Sequence, residues 1–199
     1  GNFTHNPFFN SKKFTELKKN SKKYLKKNHS FCDDYYINHS IIKIKNFKRI
    51  ENLFIKMNQI KIKVYVLPLL EESNITSSNY LQFRDSLKKI SNIAKKYKIL
   101  VALECNLSMK KLSNLIKRVN NSSLKIVYDT GNRCLVDKNQ EQAINYLAKH
   151  IIHVHIKDKN RKGDNVYLGT GIVNFLSVFK VLKKINYKAN YVFETLRGK

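Results

Sequence analysis

Four acidic or imidazole side chains stand where short apolar runs of the sequence end. These side chains are Glu104, Asp129, His155 and Glu194, and they follow the runs Ile99 to Leu103, Ile126 to Tyr128, Ile151 to Val154 and Tyr191 to Phe193. A single acidic residue in such a place is about as often a helix cap as a functional group. Because the pattern occurs four times, it favours one shared site.

Three carboxylates and one imidazole form an oxygen-rich set of ligands. Such a set suits Mn²⁺ or Mg²⁺, with Co²⁺ and Zn²⁺ as alternatives, and it leaves positions open for a substrate. A structural zinc site is disfavoured, since those sites use thiolates. The three cysteines, Cys32, Cys105 and Cys134, are too irregularly spaced for one. We therefore expect a divalent metal that could hold adjacent oxygens of a substrate.

The elements that must position these groups alternate between short apolar runs and longer amphipathic stretches, which is typical of βα units around a parallel sheet. We predict strands at 29–35, 61–67, 99–104, 124–129, 151–156 and 191–194. We predict helices at 11–27, 47–57, 80–97, 109–119, 141–148 and 172–185. The carboxyl ends of parallel strands lie at one end of the sheet, so the four side chains are expected to meet there.

The charge of the chain is its most unusual compositional feature. It has 39 Lys plus Arg against 14 Asp plus Glu, a formal net charge of +25. Such an excess raises the question of nucleic-acid binding. The positive residues are scattered along the whole chain, however, so biased composition is favoured over a binding stripe, and no specific nucleic-acid partner is expected.

Neither a membrane nor secretion is indicated by the sequence. No apolar run approaches the roughly 20 residues of a membrane span, and the start lacks a basic-then-apolar signal pattern. Three unpatterned cysteines suit a reducing compartment. We expect a cytoplasmic protein without a membrane partner.

Several motifs resemble those of the xylose-isomerase-like superfamily of (β/α)8 TIM barrels, which includes sugar phosphate isomerases and 3-epimerases. The matching segments are Leu103-Glu104, Val127 to Asn132, His153 to Asp158, Leu168 to Gly171 and Phe193-Glu194, with Ser30 to Tyr35 and Val66 to Glu72 before them. The resemblance implies an α/β fold with one domain over 1–199, corresponding to barrel strands three to eight. Strands one and two are expected to be missing, because a closed barrel needs about 250 residues.

The resemblance also implies roles for individual residues. Glu104, Asp129, His155 and Glu194 would bind the metal, and the two glutamates would be catalytic in an isomerase or epimerase acting through an enediolate. Arg161, Lys157 and Asn132 would bind the substrate, a small sugar or sugar phosphate. His153 is interpreted as a core histidine bonded to backbone. The sequence is compatible with a homo-oligomer.

Two positions depart from the epimerase pattern, where Asn132 replaces a histidine and Lys110 replaces a glutamate. These departures affect substrate identity more than metal binding, and a phosphorylated or acidic sugar suits the basic chain better than a free ketohexose.

Two other functions stay open. An apurinic-site endonuclease shares this barrel, but it needs further histidines at Asn132 and where the chain reads Asp164-Asn165-Val166. The other open function is that of a non-catalytic barrel remnant. Missing strands would leave the edges of the sheet unpaired, and the chain would then be inactive.

Overall fold

The computed structural model describes residues 6–23, 30–42 and 44–195. Six strands form one parallel sheet in the order β1-β2-β3-β4-β5-β8, and β6 and β7 form a separate antiparallel hairpin. The strands are β1 (Ser30–Cys32), β2 (Val64–Leu69), β3 (Leu100–Cys105), β4 (Leu124–Asp129), β5 (Ile151–Ile156), β6 (Asp158–Lys159), β7 (Asn165–Val166) and β8 (Tyr191–Phe193).

Helices connect the parallel strands, as in βα units. They are α1 (Ser11–Lys23), α2 (Ile44–Gln59), α3 (Tyr80–Lys96), α4 (Met109–Val119), α5 (Thr130–Val136), α6 (Gln140–Leu147) and α7 (Phe175–Lys184). Six parallel strands with helices outside them confirm the predicted class, an incomplete (β/α)8 barrel. No described helix is long and apolar enough to cross a membrane.

The predicted elements are present, but several begin or end elsewhere. The first strand stops at Cys32 because Asp34–Ile37 turns into a 3-10 helix. The second begins at Val64, after a turn in which Lys61 has a φ of 61°. The last helix begins at Phe175, since the Asn174 side chain caps it by accepting from Ser177 N–H at 3.0 Å. The predicted end of the first helix, at 24–27, and the predicted start of the first strand, at residue 29, lie outside the described residues.

The sheet is covered unequally on its two faces. The large core lies between the sheet and the helices and includes residues such as Leu87, Leu103 and Val154. A separate small cluster, Val66, Ala102 and Val127, lies on the other face, the inner face of the barrel. Because successive residues of a strand point to opposite faces, Glu104 and Asp129 share that face with Ala102 and Val127. The inner face therefore presents polar groups at its carboxyl end.

Two elements near the site were not predicted. Helix α5 follows β4 without a loop, and its seven residues with a glycine are too short for a periodic pattern. The β6–β7 hairpin has two residues in each strand. Both elements position groups around the strand ends.

Candidate metal centre

The structure brings Glu104, Asp129, His155 and Glu194 together at the carboxyl end of the sheet. Each offers one ligand atom, and these atoms all lie within 4.8 Å of one another. From His155 Nδ1, the nearest oxygens of Glu104, Asp129 and Glu194 are 3.5, 3.8 and 3.6 Å away. The predicted convergence of these four residues is thus found in the structure.

Strand register explains this convergence. Asp129 on β4 pairs directly with His155 on β5, and Glu104 is the penultimate residue of β3. Glu194 follows β8, and its N–H donates to Ile156 O at 3.0 Å. That hydrogen bond continues the β5–β8 pairing by one residue and holds Glu194 beside His155.

Asp129 both caps a helix and faces the site. Its Oδ1 accepts from Asn132 N–H at 2.7 Å, which caps α5. Its Oδ2 is buried and makes no hydrogen bond within the described residues, although Lys157 Nζ lies 3.2 Å away. The helix-cap interpretation and the ligand interpretation are therefore compatible for this residue.

His155 has a buried ring nitrogen available to a ligand. Its Nδ1 makes no hydrogen bond in the described part of the chain. A buried polar atom without a partner is costly in a folded protein. Burial lowers the pKa of His155, but the neighbouring carboxylates of Asp129, Glu194 and Glu104 outweigh it and raise the pKa to about 10. A divalent cation would satisfy this nitrogen and the surrounding carboxylates together.

The two glutamates occupy different environments. Glu104 is 4% exposed, and burial together with the charge of Asp129 raises its pKa to about 7. The side chain of Glu194 is 44% exposed, and its neighbours His155 and Lys157 lower its pKa to about 2. One carboxyl group thus holds a proton more readily than the other.

The three residues predicted to bind substrate lie in different places. The Lys157 ammonium is in the site, ion-paired with Glu194. Asn132 Nδ2 donates to Glu104 Oε1 at 2.8 Å, so its amide contacts a proposed ligand. Arg161 is exposed at the turn between β6 and β7, and in the described structure it shares no hydrogen bond or ion pair with the four ligands. Its role in binding substrate stays a prediction.

His153 is buried, as expected, at 2% exposure. Its ring packs edge-on against the ring of His155, with centroids 5.1 Å apart. Burial, with a smaller contribution from His155, lowers its pKa to about 4. No backbone hydrogen bond to the ring is found in the described residues, so packing and not backbone bonding accounts for this histidine.

Comparison with known proteins identifies the family. A family model described as the xylose isomerase-like TIM barrel matches residues 12–199. The chain belongs to this family. A curated relative, the L-ribulose-5-phosphate 3-epimerase UlaE of Salmonella paratyphi C, is 30% identical over 119 residues, covering 57% of this chain and 42% of the relative. The chain therefore spans less than half the length of the curated relatives it matches.

Solved structures share the xylose isomerase-like fold. The 3-keto-D-glucoside 4-epimerase YcjR of E. coli has a TM-score of 0.77 at 20% identity, covering 94% of this chain and 78% of that chain. The IOLI protein, solved with a zinc atom, has a TM-score of 0.72 at 18% identity, covering 91% of this chain and 73% of that one. At these identities the likeness establishes the fold.

Proposed function

We propose that the chain is an epimerase or isomerase of sugars or sugar phosphates that depends on a divalent metal and moves a proton on and off carbon through an enediolate. The observation that carries the proposal is the meeting of Glu104, Asp129, His155 and Glu194 within 4.8 Å at the carboxyl end of the sheet. Active sites of (β/α)8 barrels lie at this end. The curated relative is named as a 3-epimerase.

The donor set fits a divalent ion. Three carboxylates and one imidazole would hold it. His155 Nδ1, which makes no hydrogen bond to any residue that the structure describes, lies within 3.8 Å of an oxygen of each carboxylate. Mn²⁺ or Mg²⁺ suits the oxygen-rich set, with Co²⁺ or Zn²⁺ as alternatives. When bound, the ion would act as a Lewis acid that stabilises negative charge developing on substrate oxygens.

The two glutamates can divide the proton transfers between them. Inverting a carbon centre requires removal of a proton from one face and its return to the other, so one base cannot readily serve both steps. Glu104 and Glu194 come from β3 and the end of β8, which are separated in the sheet by β4 and β5. A substrate lying between them would meet one carboxylate on each face, and its carbon would lose a proton to one and receive a proton from the other.

A phosphorylated sugar is the proposed substrate class. The net charge of +25 attracts anions, and the curated relative is named for a sugar phosphate. Arg161 on its exposed turn and Lys157 in the site are the proposed cationic contacts. Asn132 would contact the substrate from its position beside Glu104.

Exchange of substrate hydrogen with solvent tests this function. The chain is loaded with Mn²⁺ and incubated with L-ribulose 5-phosphate in D₂O, and loss of the C3 proton signal is followed by NMR. Deuterium should appear at C3, and only with metal present. Turnover without any solvent exchange would indicate a hydride shift and would rule out the two-base assignment.

DNA binding distinguishes the proposed epimerase or isomerase from the endonuclease alternative. The exposed cations are spread over α1, α3, α4 and α7, so binding to random duplex DNA should be weak and should vanish by about 0.15 M salt. Tight, salt-resistant binding to DNA with an abasic site would favour the nuclease. The comparison is made by titrating labelled duplexes with and without that lesion.

A further inference from the structure

Lys157 lies inside the candidate metal centre. It follows His155 by two residues, so both side chains point to the inner face of the barrel. Its side chain is 11% exposed, and its Nζ is ion-paired with Glu194 and lies 3.2 Å from Asp129 Oδ2. The ammonium therefore contacts two of the three carboxylates that would hold a metal.

The start of α5 holds the Lys157 main chain and the base of its side chain. The Thr130 hydroxyl accepts from Lys157 N–H at 2.9 Å and donates to Lys157 O at 2.6 Å. Gly131 packs directly against the side chain, because a Cβ at that position would lie 2.8 Å from Lys157 Cγ. Atoms cannot approach so closely, so only glycine leaves the lysine in its present rotamer.

The next residue is held equally firmly. The buried Asp158 carboxylate accepts from the N–H groups of Gly169 and Gly171 at 2.9 Å each, and from Val173 N–H at 3.2 Å. These bonds, called here the Asp158 clasp, tie the chain just after Lys157 to the segment before α7. They leave Lys157 little freedom to leave the site by a shift of its backbone.

We propose that Lys157 is a tethered cation, that is, a positive charge held in place by its surroundings. In the absence of metal it holds the carboxylates of Asp129 and Glu194 together, and it weakens the binding of metal. Thr130, Gly131 and the Asp158 clasp position it. The part concerning metal rests on the function proposed above. A fixed positive charge a few ångströms from a cation site opposes the cation by Coulomb repulsion, and does so more strongly where solvent is excluded. The metal would then be exchangeable and not permanently bound.

Removing the ammonium tests the effect on metal. Lys157→Met keeps the apolar stem and deletes the charge, and Mn²⁺ affinity is measured by calorimetry on the whole 199-residue chain. Affinity should rise at least about tenfold. Lys159→Met is the matched control, because it removes one charge from the same segment, where Lys159 Nζ bonds to Gly163 O at 2.7 Å. It should change affinity by less than about twofold. An unchanged or weaker affinity in Lys157→Met would overturn the proposal.

Gly131→Ala separates positioning from general damage. The added Cβ should push the lysine stem aside, move the ammonium away from the carboxylates and raise Mn²⁺ affinity severalfold. The same substitution in the Lys157→Met background meets a similar stem but displaces no charge, so affinity should stay within about twofold. Equal shifts in both backgrounds would show that Gly131 does not act through the ammonium.

A measurement without metal distinguishes this inference from the proposed function. In EDTA, Lys157→Met should lower the melting temperature, and Glu194→Gln should cost less in that background than in the wild-type chain, because the ion pair is already lost. If the effects of the two substitutions on the melting temperature were strictly additive, the proposed role of Lys157 would be overturned. If coupling is present but neither the wild-type chain nor Lys157→Met binds Mn²⁺, the proposed metal function fails while the placement of Lys157 stands.

Discussion

At the scale of single residues, the two glutamates of the centre are chemically unequal before any ligand binds. Glu104 is buried and accepts a hydrogen bond from the Asn132 amide, whereas Glu194 is half-exposed and ion-paired with Lys157. Burial favours the protonated form of Glu104, and the cations favour the ionised form of Glu194. Such a difference suits a reaction in which one group gives a proton while the other takes one.

Replacement of either glutamate tests this division of labour. Glu104→Gln and Glu194→Gln should each reduce turnover by at least about a hundredfold, the usual contribution of a general acid or base. Part of the metal affinity should survive, because Asp129 and His155 remain. Turnover and bound Mn²⁺ are measured on the same samples. The exposed Glu72→Gln is the matched control. Wild-type turnover in either site variant would contradict the assignment.

Metal binding should depend on pH because its ligands must lose protons. The pKa of His155 is raised to about 10 and that of Glu104 to about 7. At neutral pH the metal-free imidazole is therefore protonated, and a metal must displace that proton. Mn²⁺ affinity should rise from pH 6 to pH 8, with protons released on binding. Calorimetry in buffers of different ionisation enthalpy counts them, and binding without release would be incompatible with His155 as a ligand.

At the scale of elements, the two ends of the segment between β5 and α7 are joined to each other by hydrogen bonds. The Asp158 clasp joins one end of it to the other, and Ile172 N–H also donates to Lys159 O at 2.8 Å. The β6–β7 hairpin lies within this segment and carries Arg161 at its turn. The clasp explains the Leu168 to Gly171 motif, since its glycines bring backbone N–H groups up to a buried carboxylate.

A methyl group at Gly171 should break this arrangement. A Cβ there would lie 2.3 Å from Asp158 Oδ1 and 2.4 Å from Lys159 O, and neither atom can move freely. Gly171→Ala should therefore lower the free energy of unfolding by about 2 kcal/mol or more, as overpacking does. Denaturant unfolding measures it. The neighbouring exposed Thr170→Ala should cost less than about 1 kcal/mol. Equal costs would mean that the close approach at Gly171 is relaxed in solution.

At the scale of the whole molecule, the sheet has two edges within the described residues. Strands β1 and β8 each pair on one side only. On β8, Tyr191 and Phe193 are 41% and 71% exposed, which is unusual for aromatic residues of a barrel strand. Unpaired N–H and C=O groups beside exposed aromatic rings form a template for pairing with another chain.

The 199-residue chain should consequently self-associate through this edge. Phe193→Lys should reduce that association, since a charge on an edge strand opposes pairing. Gel filtration over a range of concentrations measures it. Leu176→Lys, on α7 at 84% exposure, is the control for an apolar residue replaced elsewhere. If both variants reduced association equally, surface hydrophobicity and not the strand edge would be responsible.

Much of the fold and the four converging residues could be predicted from the sequence. An apolar run that ends in a polar residue is a local pattern, and alternation of side chains along a strand decides which face each residue takes. For that reason the sequence predicts Glu104, Asp129 and His155 at strand ends, and the structure has them in the last two residues of β3, β4 and β5. Boundaries were less well predicted, because caps such as Asn174 and turns such as the one at Lys61 depend on single residues.

Only the tertiary structure decided which groups touch within the site. The Asn132 amide reaches Glu104 across 28 positions, the Thr130 hydroxyl reaches Lys157 across 27, and the Asp158 carboxylate collects N–H groups 11 to 15 positions away. Such contacts depend on sheet register and on where α5 begins, and no periodicity in the sequence encodes either. Arg161 shows the same dependence, since the family resemblance implies a contact with the substrate, whereas the structure has this residue exposed at the hairpin turn.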